Sequence, residues 1–224
     1  MPPKSKFTDE EIAAAAMDIV RESGWEKVTA RSLGRRLGSS TRPIFTVFEN
    51  MEQIREMVVR EAKRLYNTRI REGLAQSNAF KGVGMAYSRF ARDEPQLFKL
   101  LFMTGNGAPE RLEKRFEYQD DNWECILQSV QHSTGLDRER AKKQYLYLWL
   151  FSHSIATLYA TGVCRLTEEQ VSDMLTEVFQ GMLGRLKGGG IGPPGDAAAS
   201  SQASQTNGGD GDGYHRSEPS EEIF

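Results

Sequence analysis

The residues best suited to bind another molecule lie in one short stretch, from Lys27 to Phe48. This stretch contains several basic side chains and no Asp or Glu, although the whole chain of 224 residues has a formal net charge of −2. The basic residues are Lys27, Arg31, Arg35, Arg36 and Arg42. A cationic segment inside a net acidic chain is typical of a local surface that faces phosphates. The stretch therefore predicts contact with a nucleic acid.

Two short helices joined by a tight turn would position these side chains. We predict one helix from Thr29 to Leu37 and a second from about Ser40 to Phe48. In the turn between them, Gly38 would adopt a positive φ and Ser40 would be the N-cap of the second helix. Pro43 would fall in the first turn of the second helix, where a missing N–H is tolerated. The apolar residues that would form a small core between them are Val28, Leu33, Leu37, Ile44 and Phe48.

Such a pair of helices is a helix-turn-helix, in which the start of the second helix meets base edges while neighbouring donors bind phosphates. Arg42 can pair bidentately with guanine, and Pro43 can touch a thymine methyl group. The same basic, hydroxyl-rich residues would also suit a solvated face of a helical bundle. The spacing of Gly24, Gly38 and Phe48 favours the helix-turn-helix, because helices on a solvated surface do not require these turn-forming and core residues at such positions.

The rest of the chain also indicates helices, because its apolar residues recur at spacings of 3 or 4 and show no strand-like alternation. A capping box at Thr8 to Glu11 opens the first helix, which ends at Gly24. A fourth helix begins near Asn50 and extends past Tyr66. Further helices are predicted near 78–94, 95–103, 109–134, 137–162 and 167–186. Residues 188–224 are rich in Gly, Ser, Ala and Asp, and this composition predicts a disordered tail.

Residues 8–60 resemble the N-terminal pattern of the tetracycline-repressor (TetR) family of bacterial regulators. The matching motifs, in order, are Gly24-Trp25, Thr29, Gly38-Ser39-Ser40, Ile44-Phe45-Thr46-Val47-Phe48 and Glu49-Asn50-Met51-Glu52. Family members often carry tyrosine, histidine and lysine at the positions of Phe45, Val47 and Met51, where they hold phosphates. Their replacement here shifts the expected phosphate contacts to other donors, which are Thr29, Arg31, Ser39, Thr41 and Arg42.

The resemblance implies an all-α fold with a three-helix DNA-binding head at 1–50, a helical ligand-binding and dimerisation domain at 51–187, and the tail at 188–224. It also implies a transcriptional regulator, expected to be a repressor, that binds a palindromic DNA operator as a homodimer and responds to a small-molecule effector. The residues expected to contact DNA are Thr29, Arg31, Ser39, Ser40, Thr41, Arg42, Pro43, Phe45 and Thr46.

The C-terminal half has the apolar surface that such a domain needs. Residues 145–159 are apolar on nearly every face, which predicts a helix covered on all sides. The residues expected to contact a ligand are Phe90, Phe98, Phe102, Trp123 and His153. The residues expected to form the dimer interface are Trp149, Ile155, Val171, Leu175, Val178 and Met182. A core within one chain explains the stripe on the last helix equally well.

Other classes of function find little support in the sequence. The three histidines do not fall at metal-ligand spacing, and no nucleophile–base motif is present, so we expect neither an enzyme nor a cofactor or metal site. Cys125 and Cys164 form no CxxC motif and predict no disulfide framework. No apolar run approaches the length of a membrane span, and the N-terminus, Met1 to Lys6, lacks the apolar stretch of a signal peptide, so a cytoplasmic protein is expected. The alternative is a helical protein-interaction module that has kept the fold without reading DNA.

Overall fold

The structure, a computed structural model, describes residues 6–104 and 121–188. In these ranges it contains helices and no strand, as the predicted all-α fold requires. The α-helices are α1 (Asp9–Ser23), α2 (Ala30–Arg36), α3 (Met51–Leu74), α4 (Ala79–Asp93), α5 (Pro95–Phe98), α6 (Trp123–Thr134), α7 (Arg138–Thr161) and α8 (Glu168–Lys187). A π-helical segment, Lys99–Met103, continues α5, and 3₁₀ turns lie at Trp25–Lys27 and Ile44–Thr46. No helix in the described ranges is both long and apolar enough to cross a bilayer.

Local capping sets most helix boundaries, and these boundaries agree with the sequence prediction. Thr8 and Glu11 form the predicted capping box at the start of α1, with the Thr8 backbone N–H donating to Glu11 Oε2 at 2.9 Å. Asp137 accepts the Arg140 N–H at the start of α7, at 2.9 Å. Gly162 ends α7 in the left-handed conformation, with φ of 72°. These interactions satisfy backbone groups that a helix end leaves unpaired.

The predicted helix near 109–134 is confirmed only from Trp123 onward. Asp121 and Asn122 form a turn before α6, so α6 itself begins at Trp123. The earlier part of that prediction lies outside the described residues. The predicted tail beyond residue 188 lies outside them as well.

Helices α3 and α4 cross with their backbones in direct contact. A Cβ atom added at Gly73 would lie 2.6 Å from the carbonyl oxygen of Gly82. A Cβ atom added at Gly82 would overlap the carbonyl of Gly73 in the same way. Only glycine fits at such a crossing, because any side chain would displace backbone rather than a flexible neighbour. The crossing therefore fixes the C-terminal end of α3, whose N-terminal end follows the turn at residues 41–47.

One hydrophobic core runs from the N-terminal helices into the rest of the protein. It includes Ile12 of α1, Ile44 of the second 3₁₀ turn and Ile54 of α3, together with Phe98 and Ile126. An ion pair between Arg21 Nε and Glu94 Oε2, at 3.0 Å, also joins α1 to the start of α5. The proposed boundary between two domains, at residues 50 and 51, stays a prediction. The hydrophobic core contains residues from both sides of this boundary.

A three-residue ion cluster ties α8 to α4. Glu168, in the first turn of α8, accepts hydrogen bonds from Arg89 Nη2 at 2.6 Å and from Arg92 Nη1 at 2.8 Å. The hydrogen bond from Arg89 and then that from Arg92 lower the pKa of Glu168 to about 2. Because the side chain is 47% exposed, solvent screens much of this interaction.

Replacing Glu168 with glutamine is expected to make the free energy of unfolding decrease less as the pH is lowered. A depressed carboxyl pKa stabilises the fold above the unfolded-state value of 4.5, and this contribution is lost as the pH falls from 4.5 towards 2. Chemical unfolding measured from pH 6 to pH 3 should therefore show a smaller decrease for Glu168→Gln than for the wild type. Glu169→Gln is the control and should follow the wild type. Parallel curves for all three proteins would contradict this account.

Candidate nucleic-acid interface and ligand cavity

The turn after α2 has the geometry that the sequence predicts for a helix-turn-helix. Gly38 adopts φ of 60°, a conformation that glycine reaches without strain. The Ser39 N–H donates to the Gly34 carbonyl at 2.9 Å, so the chain folds back over the end of α2. A Cβ atom at Gly34 would lie 2.9 Å from the Ser39 carbonyl oxygen. Glycine at this position therefore allows the turn to pack directly on α2.

Gly34→Ala is expected to destabilise the protein by about 1–3 kcal/mol, the usual cost of overpacking. The added methyl group must push the backbone of the turn away from α2, because no flexible side chain can yield there. Denaturant unfolding measures the loss. Arg35→Ala, at an exposed site of the same helix, serves as the control and should change stability by no more than about 0.5 kcal/mol. Equal stability of the two variants would show that the turn does not need glycine.

The second helix of the motif is shorter than predicted. We expected a helix from about Ser40 to Phe48 capped by Ser40, but the structure has a turn followed by one 3₁₀ turn, Ile44–Thr46. Most of its backbone bonds are of the short i to i−3 kind, for example Ile44 N–H to Thr41 O at 3.1 Å, and only the last, Phe48 N–H to Ile44 O at 3.0 Å, is of the i to i−4 kind. Proline explains the difference, since Pro43 donates no N–H and disfavours the α conformation of the residue before it. The helix prediction and the Ser40 cap are therefore wrong.

The residues of this segment still divide into inward and outward sets. Ile44 and Phe48 are buried in the same cluster as Leu33 and Val28, as predicted, and Leu37 packs against this cluster partly buried. Thr41, Arg42 and Thr46 are exposed to solvent, and Phe45 is 42% exposed. The segment thus exposes a short row of polar and aromatic side chains, while its apolar side chains are buried in the core. We call the row of Thr41, Arg42, Phe45 and Thr46 the outward row.

Most of the basic residues near the outward row have no carboxylate partner. Within the described ranges, no ion pair is formed by any of four exposed cations, which are Lys27, Arg31, Arg35 and Arg42. Arg36 differs, because it pairs with Glu22 and with Asp18 of α1. Lys6, which the sequence analysis missed, donates to Ser39 Oγ at 3.0 Å and adds a further cation beside the turn. The surface therefore carries unneutralised positive charge.

Three of the hydroxyl groups predicted to contact DNA already make bonds within the chain, those of Thr29, Thr46 and Ser39. Thr29 Oγ1 accepts the Ser32 N–H at 3.1 Å as the N-cap of α2. Thr46 Oγ1 donates to the Pro43 carbonyl at 2.6 Å. Ser40 is exposed, and Ser39 and Pro43 are half-buried. Their contacts with DNA stay predictions.

A cavity of about 90 Å³ lies between α4, α7 and α8. Six aromatic side chains line it, namely Tyr66, Phe80, Tyr87, Tyr145, Trp149 and Phe179. Polar groups line it as well, namely Asn78, Lys81, Ser152, Thr176 and Gln180. A largely apolar hollow with a few polar groups is the usual form of a small-molecule site.

The side chains that we predicted as ligand contacts lie one layer behind this wall. Phe90 packs on Tyr66 with ring centroids 5.5 Å apart, and Trp123 packs on Tyr145 at 5.0 Å. The other three predicted residues surround Tyr87, which is hydrogen-bonded to His153 Nδ1 at 2.9 Å and packs on Phe98 and Phe102. They support the wall, and direct contact of any of them with a ligand stays a prediction.

The residues that we predicted for dimerisation fall in several environments. Ile155, Val171 and Leu175 are buried inside the protomer, in one cluster with Met85, so they have little surface left for a partner. Trp149 lies in the cavity wall. Val178 and Met182 are half-buried on α8. Large exposed apolar side chains lie instead on α7, and they are Tyr147, Leu150 and Leu158.

One signal in the sequence could have located the cavity. Gly84 lies in the interior of α4 and lines the cavity. A Cβ atom added at Gly84 would lie only 3.1 Å from Leu175 Cδ1. A glycine inside an amphipathic helix costs helix stability, so it often marks a packing or functional requirement. No comparable signal in the sequence indicates that Phe179 and Lys81 line the cavity, because their positions depend on how α4 and α8 are rotated about their axes.

The chain is similar to several known proteins. Residues 80–186 match the family model described as the tetracyclin repressor-like C-terminal domain. An uncharacterized HTH-type transcriptional regulator of Mycobacterium tuberculosis is 24% identical over 194 residues, which cover 83% of this chain and 86% of that protein. The crystal structure of a transcriptional regulator from Rhodococcus sp. Rha1 covers 78% of this chain and 97% of its own, with a TM-score of 0.46 and 16% identity.

The fold and the site define a class, the all-helical proteins in which a helix-turn-helix head precedes a helical C-terminal domain. The chain resembles the TetR-like transcriptional regulators of this class.

Proposed function

We propose that the protein binds double-stranded DNA through the outward row, as a homodimer, and that a small molecule in the cavity modulates this binding. The observation that carries the proposal is the outward row itself, surrounded by exposed cations without carboxylate partners in the described part of the chain. Unneutralised Lys and Arg supply the sequence-independent part of DNA affinity. Arg42 and Thr41 are placed to supply the part that depends on sequence.

Dimerisation is supported by the apolar face of α7. Tyr147 is 45% exposed, and Leu150 and Leu158 lie on the same side of the helix at spacings of 3 and 8 residues. Residues at such spacings share one face of a helix. Exposed apolar side chains on one face of a helix favour burial against a second protein surface. A two-fold dimer would present two outward rows to half-sites about one or more helical turns apart.

Ligand modulation is supported by the position of α3. Tyr66 of α3 lines the cavity, and the N-terminus of α3 follows the outward row after only a few residues. A 24-residue helix is about 36 Å long, so a small tilt at the cavity moves the head by a larger distance. A ligand that binds the protein more tightly when α3 is in one orientation than in another would change the separation of the two heads of the dimer.

Selection of bound fragments from genomic DNA of the source organism tests the proposal. The purified protein should enrich fragments that share a two-fold symmetric motif, and light scattering should give twice the mass of one 25.2 kDa chain. A monomer, or the absence of any enriched fragment, would contradict the proposal. The second result would favour a helical protein-interaction module instead.

A further inference from the structure

The wall of the cavity contains one cation and no anion among the described residues that line it. Lys81, in the first turn of α4, is the charged member of the wall. Across residues 6–104 and 121–188, no carboxylate lies within ion-pair distance of its ammonium group. A cation held at an apolar hollow without a counter-charge is partly desolvated at a cost in free energy. An anion that enters the hollow would remove that cost.

The surroundings of Lys81 also favour a negative charge. The first turn of α4 contains no acidic residue, and its N-terminal end carries the positive end of the helix dipole. Asn78 Oδ1 is occupied, because it accepts the Lys81 backbone N–H at 3.1 Å as the helix cap. The ammonium group of Lys81 is thus the strongest donor at this end of the cavity.

The aromatic part of the cavity wall suits a flat ring. Phe80 and Phe179 have ring centroids 5.6 Å apart, and Phe80 and Tyr145 have centroids 6.2 Å apart. Trp149 adds a further aromatic face to the wall. The cavity volume, about 90 Å³, is of the same order as the roughly 150 Å³ hollow that holds benzene in an engineered protein. Because this hollow is the smaller of the two, the apolar part of a ligand inside it can be no larger than about one six-membered ring.

We propose that the cavity binds a small aromatic carboxylate, with its ring among the aromatic side chains and its carboxylate at Lys81. A neutral aromatic molecule would leave the lysine without a counter-charge, and a non-aromatic acid would lose the edge and face contacts of the rings. The assignment deepens the proposed function, on which it rests for the role of the cavity as effector site.

Isothermal titration calorimetry on the full chain tests this assignment. The probes are benzoate, phenylacetate and 3-phenylpropionate, each compared with its neutral amide, and cyclohexanecarboxylate as the non-aromatic acid of matched size. At least one aromatic acid should bind at least about tenfold more tightly than its amide, since a charge-assisted hydrogen bond accounts for about that factor. The same acid should also bind more tightly than cyclohexanecarboxylate. An amide that binds as well as its acid, or no binding by any of the acids, would overturn the assignment.

Substitution of the lysine gives the second measurement. Lys81→Met should weaken binding of the acid about tenfold and leave binding of the amide unchanged, whereas Lys81→Arg should retain acid binding. Lys99→Met, on the π-helical segment outside the wall, is the matched control and should bind like the wild type. Equal acid binding by Lys81→Met and the wild type would overturn the role of Lys81.

The DNA-binding readout separates this inference from the proposed function. Acid binding that leaves DNA affinity unchanged supports the ligand assignment and contradicts the effector role. DNA binding without any acid binding overturns the ligand assignment and leaves the DNA-binding proposal intact.

Discussion

Replacing Gly82 with alanine is expected to lower the free energy of unfolding by about 1–3 kcal/mol, even though alanine favours helix by about 1 kcal/mol over glycine. The new Cβ atom would lie 2.9 Å from the carbonyl carbon of Gly73 and would overlap its oxygen. The atoms that must yield are backbone atoms of α3, which are held by its own helical hydrogen bonds. The two helices must therefore separate along their whole contact.

Gly84→Ala provides the matched control, because it makes the same change two residues further along α4. Its Cβ atom would meet the Leu175 side chain at 3.1 Å, and that side chain can rotate. The expected change in stability is therefore smaller than for Gly82→Ala, and the gain in helix propensity offsets part of it. Thermal unfolding of both variants measures the difference, with each kcal/mol equal to about 2–4 °C for a chain of this size. Equal melting temperatures would show that α3 and α4 do not cross as described.

Arg42→Ala is expected to remove discrimination at one base position of each half-site, at a cost of about 1–3 kcal/mol for the preferred sequence. Arg42 is exposed in the outward row, with no ion pair to another described residue, so its guanidinium is available for a bidentate bond to guanine. The variant should bind the preferred and the single-base-changed duplex with similar affinity. Competition binding with a set of single-base variants of the selected site measures this loss.

Arg35→Ala is the matched control for Arg42→Ala. Arg35 is also exposed and has no carboxylate partner among the described residues, but it lies on α2 rather than in the outward row. It should contact phosphate, so its removal should weaken binding to all duplexes by a similar factor. A uniform loss for Arg42→Ala as well would mean that Arg42 binds phosphate and reads no base.

Features set by neighbouring residues could be predicted from the sequence. The capping box at Thr8 involves a partner three residues away, and it is present in the structure. The positive φ of Gly38 and the burial of Ile44 follow from the same kind of short-range pattern. The exception is the helix expected at Ser40 to Phe48, where the effect of proline on the residue before it outweighed the helical spacing.

Features set by the rotation of distant helices could not be predicted. Phe80 on α4 and Phe179 on α8 meet in the cavity across about a hundred residues of sequence, and neither position differs locally from ordinary core. Trp149 was assigned to the dimer interface, whereas the fold turns it towards the cavity. The sequence shows that a helix has an apolar face but does not show whether a cavity, a core or a partner lies against it.

The central claim, that exposed cations around the outward row bind DNA phosphates, is tested most directly by the salt dependence of duplex binding. Fluorescence anisotropy from 50 to 300 mM salt gives the slope of log affinity against log salt concentration. Three cations per head besides Arg42, each neutralising one phosphate, predict a slope of about −3 for one head and about −5 for a dimer. A triple Lys27→Ala, Arg31→Ala, Arg35→Ala variant should reduce it to less than half. A slope near zero, or one that the triple variant leaves unchanged, would contradict the account.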